Sequence, residues 1–169
     1  MRKAGGSVVL LAAVGLLAAH SGVETPQKAA DRGGGSAHVR VVRAIDGDTI
    51  EVRLGGRREE VRYIGVDTPE TVKPGTPVQC FGHRASAVNR RLTEGRTARL
   101  SFGVERRDAY GRLLAYVRVG GRFVNATLVR RGLARSLTIA PNDRYAPLFR
   151  RLERRAAVAG RGLWRSCLP

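Results

Sequence analysis

The chain has little with which to build the commoner catalytic centres. Cysteine occurs twice, as Cys80 and Cys167, and histidine three times in 169 residues. Two cysteines without a C-x-x-C spacing, with His20, His38 and His83 scattered, do not make a zinc site. There is no G-x-S-x-G elbow, no phosphate loop ending in Gly-Lys-Ser/Thr and no H-E-x-x-H, which sets aside serine-hydrolase, P-loop and zincin chemistry. Internal repeats are absent. The apolar run Val8 to Ala19 has twelve residues, short of the roughly 20 that a membrane-spanning helix needs.

Negative charge is scarce as well. Fourteen Asp and Glu face thirty-one Lys and Arg, twenty-eight of them Arg, for a net charge of +17. Such a surface suits a polyanionic partner, because phosphates are drawn to it and release counterions when they bind. The competing source of the Arg excess is GC-rich codon usage, and charge alone leaves function open.

The length has room for one domain with a single core. Residues 1–21 read as a secretory signal, with Arg2 and Lys3 ahead of the apolar run and cleavage after Ala19 or Ser21; an uncleaved membrane anchor is the alternative. Residues 22–37, including Gly33, Gly34, Gly35 and Ser36, have no apolar period and read as a flexible linker. The folded domain is expected over 38–169, where twenty-seven basic and twelve acidic residues leave a net +15. In an exported chain Cys80 and Cys167 are expected to form one disulfide. The loop it closes is long enough for the chain-entropy view to credit it with about 4 to 5 kcal/mol as a ceiling.

Periodicity divides this domain. Val39, Val41 and Ile45, then Ile50, Val52 and Leu54, alternate as strands on either side of Asp46-Gly47, a tight-turn signal. Gly55-Gly56 separates the second run from a third, Glu59 to Val66, so the first third is expected to be an antiparallel meander. Phe81, Ala85, Val88 and Leu92 recur at helical spacing and stop near Gly95. Ala98, Leu100 and Phe102, then Leu114, Tyr116 and Val119, alternate as two further strands. Asn125 is expected to N-cap a short helix carrying Ala126, Val129 and Leu133. A last helix from about Tyr145 to Ala159 turns Leu148, Phe149, Leu152 and Ala156 inward and Arg150, Arg151, Arg154 and Arg155 mostly outward. Five strands and three helices suit an α+β, mainly β architecture, a five-stranded β-barrel of OB-fold type, with a ferredoxin-like sandwich as the runner-up.

Against the scarcity of acids, their placement stands out. Asp46, Asp48, Glu51, Glu59, Glu60, Asp67 and Glu70 put half of the fourteen into one stretch of the chain. Asp46-Gly47-Asp48 is no EF-hand, because Ile50, Glu51 and Arg57 stand where that loop needs an oxygen ligand, a Gly and a Glu. In a meander, the first turn and the end of the third strand can meet at one edge of the sheet. Asp46 and Asp48 would then face Asp67, Thr68 and Glu70. Crowded carboxylates repel one another and any phosphate unless a hard cation such as Ca²⁺ or Mg²⁺ lies between them. Each motif alone has a plainer reading, as a turn former or a loop opener. Arg62 lies five residues before Asp67, so an unbroken strand would point the two to opposite faces; an irregularity at or near Gly65 is expected to bring them together. Arg112, in DAYGR, is the other candidate phosphate clamp.

These residues resemble the staphylococcal nuclease (thermonuclease) family, in order from about His38 to Trp164: VVRAIDGDTIEV, VRYIGVDTPE, CFGHRAS, RRDAYGRLLAYV, VNATLVRRGLA and PND…GRGLW. The resemblance implies an OB-fold nuclease that uses Ca²⁺ to hydrolyse DNA and RNA, leaves 3′-phosphate and 5′-hydroxyl ends and acts as a monomer. It further implies Asp48, Asp67 and the Thr68 carbonyl as metal ligands, Asp46 acting through water, and Glu70 orienting or deprotonating the attacking water. Arg62 and Arg112 would hold the phosphate, with Tyr110 contacting it. The chain departs from the staphylococcal pattern at Ala109, where a lysine is expected, around Leu137 to Ile139, where stacking tyrosines are expected, and in having Cys80 and Cys167. An inactive nucleic-acid-binding OB module and a cationic envelope protein are the other functional expectations.

Overall fold

A computed structural model describes residues 35–71, 75 and 77–167; the expected signal segment, and all of the expected linker ahead of Gly35, lie outside these. The described chain forms β1 (Ser36–Ala44), β2 (Thr49–Leu54), β3 (Arg57–Tyr63), β4 (Val66–Asp67), α1 (Gly82–Thr93), β5 (Thr97–Arg107), β6 (Leu113–Val119), β7 (Arg122–Phe123), α2 (Val124–Arg130), β8 (Arg135–Ser136), α3 (Ala146–Val158) and α4 (Leu163–Ser166). The five long strands run in the order β3-β2-β1-β5-β6, and a pairing of β3 with β6 closes them into a barrel. This is the expected α+β barrel, with one helix more than the three anticipated: α4 is a single turn whose length gives no readable period. β1 begins two residues before His38, with Ser36 and Ala37 opposite Ser101 and Leu100 on β5.

Alternation explains the interior. Val39 and Val41, Ile50 and Val52, Ala98, Leu100 and Phe102 are buried, as period-2 strands with one face on a core require. On β6 the expected phase is corrected. Ala115, Val117 and Val119 stand opposite Phe102, Leu100 and Ala98, so the odd positions fill the barrel. Tyr116 is buried on the other face, its ring 4.7 Å from that of Tyr145 and 6.4 Å from that of Phe149. Both faces of β6 are thus covered, one by the barrel and one by α3, and alternation alone does not say which apolar set is which.

The meander is present, but β3 ends at Tyr63 and not at Val66. Gly65 takes φ of +80°, and a Cβ there would lie 2.4 Å from the Phe149 ring. Only glycine suits both the left-handed backbone and the close approach of α3. After the turn Val66 and Asp67 pair with Ser136 and Arg135 on β8. The irregularity expected near Gly65 is therefore a full turn out of the sheet.

Asn125 does not cap α2. Phe123 occupies that position, and Asn125 is fully buried inside the helix's first turn. Its Oδ1 accepts from the Val117 amide at 2.9 Å, and its Nδ2 donates to the Ile64 carbonyl at 2.9 Å. The side chain thus ties β6 to the turn leading into β4. Asn125→Ala is expected to lower unfolding free energy by about 2 to 4 kcal/mol, since it orphans two buried backbone groups; urea denaturation measures this.

Candidate active site

One antiparallel register, extended by a hydrogen bond into the first turn, and one parallel register bring the acids and arginines together. Thr49, at the start of β2, faces Arg62, near the end of β3, and the Tyr63 amide donates to the Asp48 carbonyl at 2.9 Å. The turn between β1 and β2 therefore lies beside the end of β3. The parallel pairing then sets Val61 opposite Leu113 and Arg62 opposite Leu114, which delivers Arg112 and Tyr110 to the same end of the barrel. An open cavity of about 550 Å³ results, lined by Asp46, Asp48, Asp67, Thr68 and Glu70, with Arg62, Arg112 and Tyr110 and also Glu60 and Pro69. All eight residues expected at the site are present. Glu60 was legible only as one of the clustered acids. Glu51 and Glu59 form ion pairs instead, Glu51 with Arg43 and Arg58, Glu59 with Arg107.

Asp48 is the most buried of these acids, 4% exposed. Its Oδ2 accepts from the Thr68 amide at 2.7 Å and the Thr68 hydroxyl at 2.9 Å, and lies 3.3 Å from Arg62 Nη1. The close contact between Thr68 and the first turn depends on Gly47. A Cβ there would fall 2.5 Å from Thr68 Oγ1 and 2.9 Å from the Ala85 Cβ on α1. Asp46 Oδ1 accepts from the Asp48 amide at 2.9 Å, a local turn that aspartate favours. From α1, the fully buried Asn89 donates to the Asp46 carbonyl and accepts from the Tyr63 hydroxyl, both at 2.8 Å. Burial pushes that hydroxyl well above the usual tyrosine range, so it stays a donor.

Arg62 joins the two aspartates. Its Nη2 donates to Asp67 Oδ1 at 3.0 Å, while Nη1 donates to the Val66 carbonyl at 2.7 Å and the Tyr63 carbonyl at 3.0 Å. One guanidinium thus ties down the turn around Gly65 and contacts both Asp48 and Asp67. Arg112 is held differently: its Nε donates to Asp108 Oδ2 at 2.7 Å, and Asp108 Oδ1 also accepts from the Tyr110 and Arg112 amides at 3.0 Å. Asp108 is a supporting residue that sequence reasoning passed over, although it belongs to the DAYGR motif. Tyr110 is 86% exposed, with the Arg112 guanidinium 5.4 Å from its ring centre. Glu70 Oε1 accepts from the Thr71 amide at 2.8 Å.

Burial raises the pKa of Asp48 from the ordinary 3.8 to about 6; the Arg62 charge opposes this only in part, and Asp46 adds to it. A carboxylate so placed is under-compensated at neutral pH, which is the condition a bound cation would relieve. Among the described residues no three acidic, His or Cys side chains are grouped so as to hold an ion unaided. Asp48 and Asp67 would need carbonyl and water oxygens beside them, the kind of hard oxygen set that divalent cations such as Ca²⁺ and Mg²⁺ take.

The family described as "Staphylococcal nuclease homologue" matches residues 60–166. The chain is 44% identical over 124 residues to the thermonuclease of Staphylococcus intermedius, covering 73% of this chain and 74% of that protein. It is 42% identical over 125 residues to the thermonuclease of Staphylococcus hyicus, with 74% of each covered. To the endonuclease YncB of Bacillus subtilis (strain 168) it is 46% identical over 129 residues, 75% of this chain and 61% of the other.

Proposed function

From the premise that the chain belongs to the staphylococcal nuclease family and is a nuclease of it, we propose a secreted enzyme that hydrolyses DNA and RNA with little sequence specificity. It uses Ca²⁺, acts as a monomer and leaves 3′-phosphate ends. The observation that carries this reading is the meeting of buried Asp48 and exposed Asp67 across the Arg62 guanidinium, in a cavity that also holds Glu70 and Arg112.

Asp48, Asp67 and the Thr68 carbonyl would hold the ion. Bound there, Ca²⁺ supplies positive charge that offsets the two carboxylates and polarises a phosphoryl oxygen. The remaining work falls to the side chains. Glu70 orients the attacking water and takes its proton on a carboxylate oxygen. Arg112, held by Asp108, presents charge to the phosphate oxygens as it grows in the transition state. Arg62 does the same while keeping Asp67 and the turn in place. The water oxygen bonds to phosphorus as the bond to the 5′-oxygen breaks, its electron pair going to that oxygen, which takes a proton from solvent and leaves as the 5′-hydroxyl, so the phosphate stays on the 3′ side. Ala109 and the ring-free stretch Leu137 to Ile139 remove a positive charge and stacking rings relative to the staphylococcal pattern, so base preference should be weak. The net +15 from His38 onward favours long polyanions, and the short apolar run with its basic start is the reason to read the protein as exported.

Digestion of single-stranded DNA, duplex DNA and RNA in Ca²⁺ or in chelator, with end-group analysis of the fragments, tests this reading. Turnover only with Ca²⁺ and 3′-phosphate ends are expected. Binding without cleavage in Ca²⁺ would instead identify an inactive nucleic-acid-binding barrel.

A further inference from the structure

The segment carrying Glu70 is fastened to the start of α1 at several points. The Gln79 amide donates to the Glu70 carbonyl at 2.9 Å. The Glu70 amide donates in return to Gln79 Oε1 at 2.9 Å. The Gly82 amide donates to the Gln79 carbonyl at 2.9 Å, and a Cβ on Gly82 would lie 2.9 Å from the Glu70 carbonyl oxygen, so α1 begins directly against Glu70. Between Gln79 and Gly82 stand Cys80, bonded to Cys167, and Phe81, whose φ is +70°. Phe81 is the one described non-glycine residue with positive φ. A bulky side chain in that region is disfavoured, and such conformations persist where the surroundings over-determine them. The bond to Cys167 brings the end of α4 onto this corner. A cleft of about 170 Å³ there is lined by Asp67, Thr68, Pro69, Gln79, Cys80 and Cys167 among others. The disulfide therefore lies directly beside the segment that bears the site.

We propose that Gln79 and the Cys80–Cys167 disulfide are positioning elements for Glu70, and that full turnover requires the oxidised bond. The proposal rests on the reading above that Glu70 handles the attacking water. Without the crosslink the corner at Phe81 relaxes, Gln79 moves with it, and the Glu70 backbone loses its donor and its acceptor together. The chain is then a nuclease with low turnover in a reducing compartment and full turnover after oxidation. A dithiol reverses the state by passing two electrons and two protons to the sulfurs and closing to its own disulfide.

Wild type, Cys80→Ser/Cys167→Ser and Gln79→Ala test this at a temperature where circular dichroism shows all three folded. The double serine variant is expected to lose about 10²-fold in kcat, the scale on which a displacement of about 1 Å acts, with KM within about threefold. Gln79→Ala, with its disulfide intact and its site on the surface, is expected to lose about 10-fold in kcat on the same grounds. Amide order parameters at Glu70 and Gln79 should drop in the double variant from about 0.85 towards 0.6 or below, while those of β6 hold. Unchanged kcat, or rigid Glu70 and Gln79 amides in the double variant, overturns the proposal. A wild type without turnover would defeat the nuclease reading instead, and the order parameters would still decide whether the disulfide fixes this segment.

Discussion

Glu70→Gln is expected to lower kcat by about 10² to 10⁴-fold, the range associated with losing a positioned proton acceptor, and to leave KM and thermal stability close to wild type. Glutamine has nearly the same shape, and its amide oxygen can keep the bond from the Thr71 amide now made by Glu70 Oε1 at 2.8 Å. The backbone pairing with Gln79 is untouched. What glutamine lacks is a site for the proton of the attacking water. Steady-state kinetics on an oligonucleotide, with a melting curve for each protein, measures both effects. A loss below about threefold would assign Glu70 to structure, because acid–base catalysis contributes far more than that.

Asp48→Asn is expected to have opposite effects on stability and on activity. The native carboxyl takes up a proton near pH 6, whereas in the unfolded chain it does so near 3.8. Above about pH 6 the ionised group therefore weighs against the folded state. The cost is about 3 kcal/mol on the scale of 1.36 kcal/mol per pKa unit, and it is relieved as pH falls from 6 towards 4, where the folded chain holds a proton that the unfolded chain does not. Asparagine keeps an oxygen for the Thr68 amide and hydroxyl and removes the charge. In chelator at pH 7 to 8 the variant should be more stable by about 3 kcal/mol, and this group's contribution to the slope between pH 4 and 6 should vanish. Nuclease activity should fall with the loss of the charge proposed to hold the metal. Urea denaturation at a series of pH values checks the first part. A variant less stable than wild type at pH 7 would mean that the Arg62 pairing outweighs burial. Sites that sacrifice stability in this way are expected where function needs a buried charge.

Much of this arrangement was legible in the chain because it is local. Asp46-Gly47-Asp48 marks its own turn, Gly55 and Gly56 both take the positive φ that a tight hairpin needs, and the break near Gly65 follows from asking how Arg62 and Asp67 could share a face. The cavity residues also travelled together in recognisable motifs. The parts that escaped are long-range or aperiodic. Nothing in residues 57–63 or 113–119 announces that β3 and β6 will pair in parallel, yet that pairing brings Arg112 to Arg62. Asn89 and Asn125 fix backbone groups on distant elements. An asparagine in sequence reads first as a cap or turn former, since its burial depends on the packing around it. The left-handed Phe81 was hidden for the same reason: it begins a helical apolar pattern, and its backbone conformation follows from the tertiary contacts of its neighbours Gln79, Cys80 and Gly82.

The proposed mechanism requires a divalent cation at the Asp48 and Asp67 carboxylates before a phosphodiester can be cut. Its most direct test is initial rate against free Ca²⁺ for wild type and Asp67→Ala, on one oligonucleotide at fixed ionic strength. Wild type should rise along a saturating single-site curve from no turnover in chelator, and Asp67→Ala should need at least about tenfold more Ca²⁺ for half-activation, as expected when one charged ligand is lost. Undiminished cleavage in chelator, or coincident curves for the two proteins, would contradict it.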